Sequence, residues 1–74
     1  MNYIKTEITL NKLSALIVKM QLTEVRKECD ALSIIRIHKR FEAPYSDELK
    51  QSEQAYQKLV EKLETEFNTL KAEL

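Results

Sequence analysis

Two side chains of this 74-residue chain have the types needed for nucleophilic chemistry: Cys29, the only cysteine, and His38, the only histidine. A cysteine becomes an effective nucleophile when a neighbouring base activates it. Nine residues separate the two, which places them about 180° apart on one continuous helix. A Cys–His dyad within one chain would therefore need a break in that helix. The sequence predicts instead that Cys29, on the same side as Val25 and Leu32, is a small buried hydrophobic residue.

Metal binding and acid–base chemistry have little support in the sequence. His38 and Glu42 are four residues apart and could face one ion, but a histidine near a helix end more often interacts with the negative end of the helix dipole. The chain has no glycine, so it lacks the glycine-rich loops that bind phosphates. The carboxylates of the C-terminal third, Glu53, Glu61, Glu64 and Glu66, lie on the exposed side of an amphipathic helix, where a solvated face explains them. We therefore expect no enzymatic activity, no catalytic residue, no cofactor and no metal ion.

The basic residues between positions 26 and 40 are the remaining candidates for a site. They are Arg36, Lys39 and Arg40, with Arg26 and Lys27 a few turns earlier. Such cations can bind phosphates, although cations in the last turn of a helix also offset its negative end. The chain carries 12 basic and 12 acidic residues, whereas nucleic-acid-binding domains are usually basic overall. We predict that these five residues bind a protein partner, and nucleic-acid binding is the alternative.

Two helices are predicted to position these residues. Leu49, Tyr56, Leu63 and Leu70 recur at helical spacing in the C-terminal third, and Ser46 is a suitable N-cap ahead of Asp47, so a helix is expected over about 47–73. A long first helix is expected over about 10–41, with a turn at 42–46, because Pro44 disfavours helical geometry at the residue before it. The prediction is one all-α domain over 1–74, an antiparallel helical hairpin. The alternative is three shorter helices with a break near 23 or 33.

The first helix is apolar on two sides, and a single hairpin provides only one partner helix. One side contains Ile4, Ile8, Ala15, Val18, Leu22, Val25, Cys29 and Leu32. The other contains the residues that we predict for self-association: Leu13, Ile17, Met20, Ile34 and Ile35. Dimerisation into an assembly like a four-helix bundle would cover both sides.

The start of the second helix resembles a known motif. Ser46-Asp47-Glu48-Leu49 is similar to the first four positions of the Ser-x-x-Leu-Asp signature in small sporulation phosphatases, which are helical hairpins of similar length. The fifth position here is Lys50, where that family has its functional aspartate. The resemblance therefore implies the hairpin shape and does not imply the phosphatase activity.

The functional prediction follows from shape and composition. The chain has no apolar run long enough to span a bilayer, no signal-peptide pattern at its start and one unpaired cysteine, so a cytoplasmic location is expected. We predict a non-enzymatic protein–protein interaction module, a small helical adaptor or inhibitor that binds and masks a larger protein. An inhibitor encoded by a phage or mobile element is one instance of this class. The alternatives are a small nucleic-acid-associated regulator and a structural coiled-coil component.

Overall fold

The computed structural model describes residues 3–74 and contains two α-helices, α1 (Tyr3–Arg40) and α2 (Ser46–Lys71). They lie side by side in opposite directions, and no strand is present in this part of the chain. The predicted all-α helical hairpin is confirmed. The first helix begins about seven residues earlier than the sequence predicted. No proline or glycine interrupts the residues before position 10, so nothing local stops the helix from continuing to Tyr3.

α1 is continuous through residues 23 and 33, the two positions near which the alternative prediction places a break. The Thr23 side chain does not cap a new helix; its Oγ1 donates a hydrogen bond to the Lys19 carbonyl oxygen at 2.7 Å, one turn earlier. Thr9 makes the same bond to the Lys5 carbonyl at 3.0 Å. A threonine bonded in this way satisfies its hydroxyl inside a helix. Ser33 also lies within α1. The alternative of three shorter helices is therefore wrong.

The connection between the helices, residues 41–45, is called the corner below. α1 ends in a Schellman motif, in which the Ala43 N–H donates to the His38 carbonyl at 2.8 Å and the Glu42 N–H donates to the Lys39 carbonyl at 3.2 Å. This motif needs a left-handed residue, and Glu42 has a φ of +54°. Glycine usually occupies such a position because it has no Cβ, but this chain has none. Glu42 therefore holds the turn in a strained conformation.

α2 begins one residue earlier than predicted, and its N-cap is Tyr45 rather than Ser46. Tyr45 has non-helical dihedral angles, and its carbonyl accepts the Leu49 N–H at 2.9 Å. No side chain caps the helix. The predicted N-cap role of Ser46 is wrong because Ser46 is already the first helical residue. Asp47 and Glu48 do lie in the first turn, where the positive end of the helix dipole favours anions.

A single seam between the two helices provides the core. Its buried hydrophobic residues are Leu13, Leu16 and Leu63. Two threonines, Thr9 and Thr23, are also buried. The remaining seam positions are half-buried: Met20, Lys27, Ala31, Ile34, His38, Leu49, Ser52, Tyr56, Val60, Phe67 and Leu70. The hairpin is thus closed by a narrow strip of contact, with polar residues inside it.

The molecule is elongated, with principal dimensions of 62 × 15 × 7 Å. Its radius of gyration is 17.4 Å, whereas a compact domain of this length has a value of about 11 Å. The accessible surface is 6124 Å², compared with about 4,700 Å² expected for a compact monomer of 8.7 kDa. Both helices leave the same corner, and α1 is longer by 12 residues. Its N-terminal part therefore extends about 18 Å beyond the end of α2.

Candidate protein-interaction surface

The side of α1 that faces away from α2 carries a continuous line of exposed apolar side chains. We call it the outward stripe; it consists of Ile4, Ile8, Ala15, Val18, Leu22, Val25, Cys29 and Leu32. Its large members, Ile4, Ile8, Val18, Leu22, Val25 and Leu32, are between 50 and 71% exposed. Successive members alternate between steps of three and four, with one polar interruption at Asn11. That is the heptad spacing of a coiled-coil seam.

The outward stripe and the seam with α2 are on opposite sides of one helix. Thr23, buried in the seam, and Val25, in the outward stripe, are two residues apart and so about 200° apart around the axis. α2 covers one side of α1 and leaves the other to solvent. Of the two apolar sides predicted for the first helix, α2 therefore covers one, and the other has no partner in the hairpin.

Charged and polar residues border the outward stripe in two different ways. Along one border, a cation recurs every seven residues: Lys5, Lys12, Lys19 and Arg26. Along the other border are Glu7, Ser14, Gln21 and Glu28. The cationic border also faces an open groove of about 540 Å³ between the helices, which Lys12 and Lys19 line together with Glu66. The outward stripe therefore has one basic edge and one acidic-to-neutral edge.

The structure divides the residues predicted for self-association. Leu13 is buried against α2, Met20, Ile34 and Ile35 are half-buried, and Ile17 is exposed. Leu13 is therefore occupied within the hairpin, and the apolar side left open is the other one. The signal for the outward stripe was present in the sequence as its heptad spacing. Both sides of α1 are apolar, however, and composition alone does not tell which of them α2 covers.

Cys29 is exposed, so the prediction of a buried hydrophobic residue is wrong for the hairpin. The prediction failed because Cys29 belongs to the outward stripe, which α2 does not cover, and not to the seam. α1 does not break between Cys29 and His38. The two side chains therefore remain on opposite sides of the helix and form no dyad.

His38 joins the end of α1 to the start of α2. Its Nδ1 lies 2.9 Å from the Pro44 carbonyl oxygen, and its Nε2 contacts the Glu48 carboxylate. Both neighbours are hydrogen-bond acceptors, so the ring makes both bonds only when both nitrogens carry a proton. The Tyr45 ring packs edge-on at 6.5 Å between centroids. His38 thus holds the corner together, and its carboxylate neighbour is Glu48, not Glu42.

The predicted basic site is only partly assembled. Arg36, Lys39 and Arg40 are exposed together in the last turns of α1, next to the corner. Arg26 lies about 15 Å further along the helix. Lys27 is about 180° from Arg36, half-buried in the seam, and its Nζ lies 3.9 Å from Glu24 Oε2. Three of the five residues therefore form one patch, which we call the corner patch (Arg36, Lys39, Arg40).

One polar contact connects the middle of the two helices. The Tyr56 hydroxyl donates a hydrogen bond to the Asp30 carboxylate. This bond raises the pKa of Tyr56 above its ordinary value, because ionising the phenol would both remove the donor and place two negative charges together. The contact links α1 and α2 at this level.

Comparison of the chain with protein-family models, with curated proteins and with solved structures gave no match. Within residues 3–74, no group of three or more His, Cys, Asp and Glu side chains could hold a metal ion. Neither α1 nor α2 combines the length and apolar character needed to cross a membrane. The outward stripe and the corner patch are thus the two candidate interaction surfaces of the hairpin.

Proposed function

We propose that the protein is a non-enzymatic protein–protein interaction module, a small helical adaptor or inhibitor that packs against and masks a surface of another protein. The observation that carries this proposal is the outward stripe. It places six large apolar side chains, each at least half exposed, on one face of a helix 38 residues long. Contiguous exposed apolar surface on a folded protein usually marks an interaction site.

The form of the surface favours a helical or groove-shaped partner. Anchors at helical spacing on one face are the pattern by which amphipathic helices bind grooves and other helices. α1 is already helical in the hairpin and packs against α2 along most of its length, so little backbone ordering remains to oppose binding. A preformed helix with an uncovered apolar face therefore has the properties of a docking element.

The corner patch supplies a second, charged contact. Arg36, Lys39 and Arg40 stand at the end of the outward stripe, so a partner that follows the stripe towards the corner would meet them. Complementary charge at the edge of an interface mainly sets orientation and association rate. The separation of Arg26 and Lys27 from this patch supports a protein partner over a nucleic acid, which would need a longer continuous basic surface.

Site-specific photo-crosslinking in the source cells tests the proposal. A photoreactive amino acid is placed at Leu22 or Val25 in the outward stripe, and at the exposed positions Gln51 and Gln54 of α2 as controls. We expect protein adducts from the stripe positions and none from the controls. An absence of adducts at the stripe, or the same adducts at all four positions, would refute the proposal.

A charge-reversal variant tests the corner patch separately. Arg36→Glu/Arg40→Glu is combined with the photoreactive residue at Leu22. If the patch orients the partner, the yield of the adduct falls in the variant while helicity is unchanged. The matched control is Lys58→Glu/Lys62→Glu on exposed α2 positions, which makes the same change in net charge and should leave the yield unaltered.

A further inference from the structure

We infer that the outward stripe is covered by a second copy of this chain, and that the two α1 helices pair in parallel and in register as a two-stranded coiled coil from Ile4 to Leu32. This inference rests on the proposed function, since it takes the outward stripe as an interaction surface and names a second copy as its occupant; the corner patches of the dimer then remain to contact the larger partner. The dimer would have two α1 helices at its centre and one α2 helix on each outer side.

The spacing of the outward stripe fits such a pairing over four heptads. In heptad notation, Ile8, Ala15, Leu22 and Cys29 occupy the a positions. Ile4, Val18, Val25 and Leu32 occupy the d positions, together with Asn11. The line is about 42 Å long at the rise of an α-helix. Asn11 is the one polar residue in this line, and in the in-register pairing it faces its own copy.

The excess accessible surface of the hairpin is large enough to supply the area that a stable dimer interface buries. The hairpin exposes roughly 1,400 Å² more than a compact monomer of its mass. A stable protein interface buries about 800 Å² on each partner. The N-terminal part of α1, which extends beyond α2, contributes exposed Ile4 and Ile8 and has no other helix of the chain beside it. A second α1 running in the same direction would cover both.

The charges along the two borders select the parallel orientation. In the same heptad notation, the border with Lys12 occupies the e positions and the border with Glu7 occupies the g positions. In a parallel coiled coil, a g residue of one helix faces the e residue five positions later on the other. Glu7 then faces Lys12 of the second copy, and the two-fold symmetry makes this attractive pair occur twice. The following g–e pairs are Ser14 with Lys19, Gln21 with Arg26, and Glu28 with Ser33, and none of them joins like charges.

An antiparallel arrangement would bring like charges together on both borders. With the stripes centred on each other at Val18, e residues face e residues, so Lys12 meets Arg26 and Lys19 meets its own copy. The g residues also face one another, which brings Glu7 to Glu28. Like charges in these positions oppose association. The borders therefore favour parallel pairing and disfavour its reverse.

The heptad positions after Leu32 are cationic and mark where the pairing ends. Arg36 is the next a position and Lys39 the next d position. In the parallel dimer these residues would meet their own copies, so the helices separate beyond Leu32. The two corner patches then lie at the same end of the dimer and together present six cations to a larger acidic partner.

Sedimentation equilibrium tests the self-association directly. We expect wild-type protein to have twice the chain mass of 8.7 kDa. Leu22→Glu in the outward stripe should give a monomer, whereas Ile37→Glu, at a side chain of similar exposure outside the stripe, should leave the dimer intact. A wild-type protein that stays monomeric at every concentration, or a mass of three or more chains, would overturn the inference.

Charge substitutions on the two borders decide the orientation without disturbing the apolar residues. For the parallel dimer, Glu7→Lys and Lys12→Glu should each raise the dissociation constant about tenfold, because two attractive pairs become repulsive. Combining them should restore the wild-type value. For an antiparallel dimer each single substitution would relieve a repulsion and lower the dissociation constant. A decrease for both single variants would therefore overturn the parallel assignment.

Cys29 provides a second measure of orientation. As an a residue it faces its own copy in the parallel dimer, and diamide, which takes two electrons and two protons from a pair of thiols, should join the chains by a disulfide. In the antiparallel arrangement Cys29 lies near position 7 of the other chain and no disulfide forms. Leu22→Glu should abolish the cross-link and Ile37→Glu should not. A failure of wild-type dimer to cross-link would contradict the in-register pairing.

The failure of this inference can be told apart from failure of the proposed function. If photo-crosslinking at Leu22 gives adducts only with a different protein and the isolated chain is monomeric, the outward stripe is an interaction surface and the second copy is not its occupant. If Leu22 gives no adduct and the chain is monomeric, both proposals fail.

Discussion

The strained residue at the corner allows a substitution that should stabilise the protein although it removes a side chain. Glu42 has a φ of +54°, and a residue with a Cβ in this conformation costs about 1–2 kcal/mol relative to the right-handed one. Glycine removes that cost but gives the unfolded chain more freedom, which offsets about 0.4–1 kcal/mol. Glu42→Gly should therefore raise the free energy of unfolding by about 0.5–1 kcal/mol, or the melting temperature by about 3–6 °C.

Urea unfolding followed by far-ultraviolet circular dichroism, at one fixed protein concentration, measures this change. Two control variants isolate its cause. Glu42→Ala removes the charge and most of the side chain but retains Cβ, so it should gain little. Glu53→Gly makes the same substitution at an exposed position inside α2, where glycine should reduce stability by about 0.5–1 kcal/mol. Equal effects of glycine at the two sites, or equal effects of alanine and glycine at position 42, would refute the reasoning.

Two further predictions concern the seam. Asp30→Ala should lower the pKa of Tyr56 towards its ordinary value, because the phenol loses the carboxylate that accepts its hydrogen bond. Absorbance titration of tyrosinate measures this pKa in a background where the other two tyrosines are phenylalanine. Titration curves that superimpose with and without Asp30 would contradict the contact. Since the folded-state pKa is raised, the bond stabilises the hairpin at neutral pH and this contribution is lost as pH rises through the raised value. Thr23→Val should stabilise the protein by about 0.5–1 kcal/mol, because it places a methyl group in a buried site while the Lys19 carbonyl remains bonded in the helix. Thr65→Val, with the same hydroxyl bond at an exposed site, should change the unfolding midpoint little, and an equal change at both sites would argue against burial of Thr23.

The hairpin itself could be predicted because its signals are local. Pro44 stops the first helix, the acidic residues Asp47 and Glu48 suit the start of the second, and the apolar residues of α2 form one clear line. The backbone details of the corner could not be predicted. With no glycine in the chain, the left-handed residue had no sequence marker, and Glu42 took that position because of where the helix ends.

The candidate surface was harder to predict, because it depends on which side of α1 is covered. The sequence shows two apolar sides on the first helix, and the prediction of self-association falls on the side that contains Leu13. The structure places Leu13 of that side in the seam with α2, leaves Met20 and Ile34 half-buried there, and leaves Ile17 exposed. Tertiary packing decided between two patterns that helical periodicity does not distinguish. The same uncertainty explains why Cys29 was expected to be buried.

The division of the two sides also has a thermodynamic explanation. The seam with α2 contains Thr9, Thr23 and Lys27, so it is the less apolar of the two sides, whereas the outward stripe has one polar interruption in four heptads. Closing a hairpin joins two segments of one chain and costs only the entropy of a five-residue loop. Joining two separate chains costs translational and rotational freedom as well, of at least several kcal/mol. A seam with polar residues is sufficient for the first contact, and the second needs the more continuous apolar line. The face of α1 with the more continuous heptad spacing is thus the one that α2 leaves uncovered.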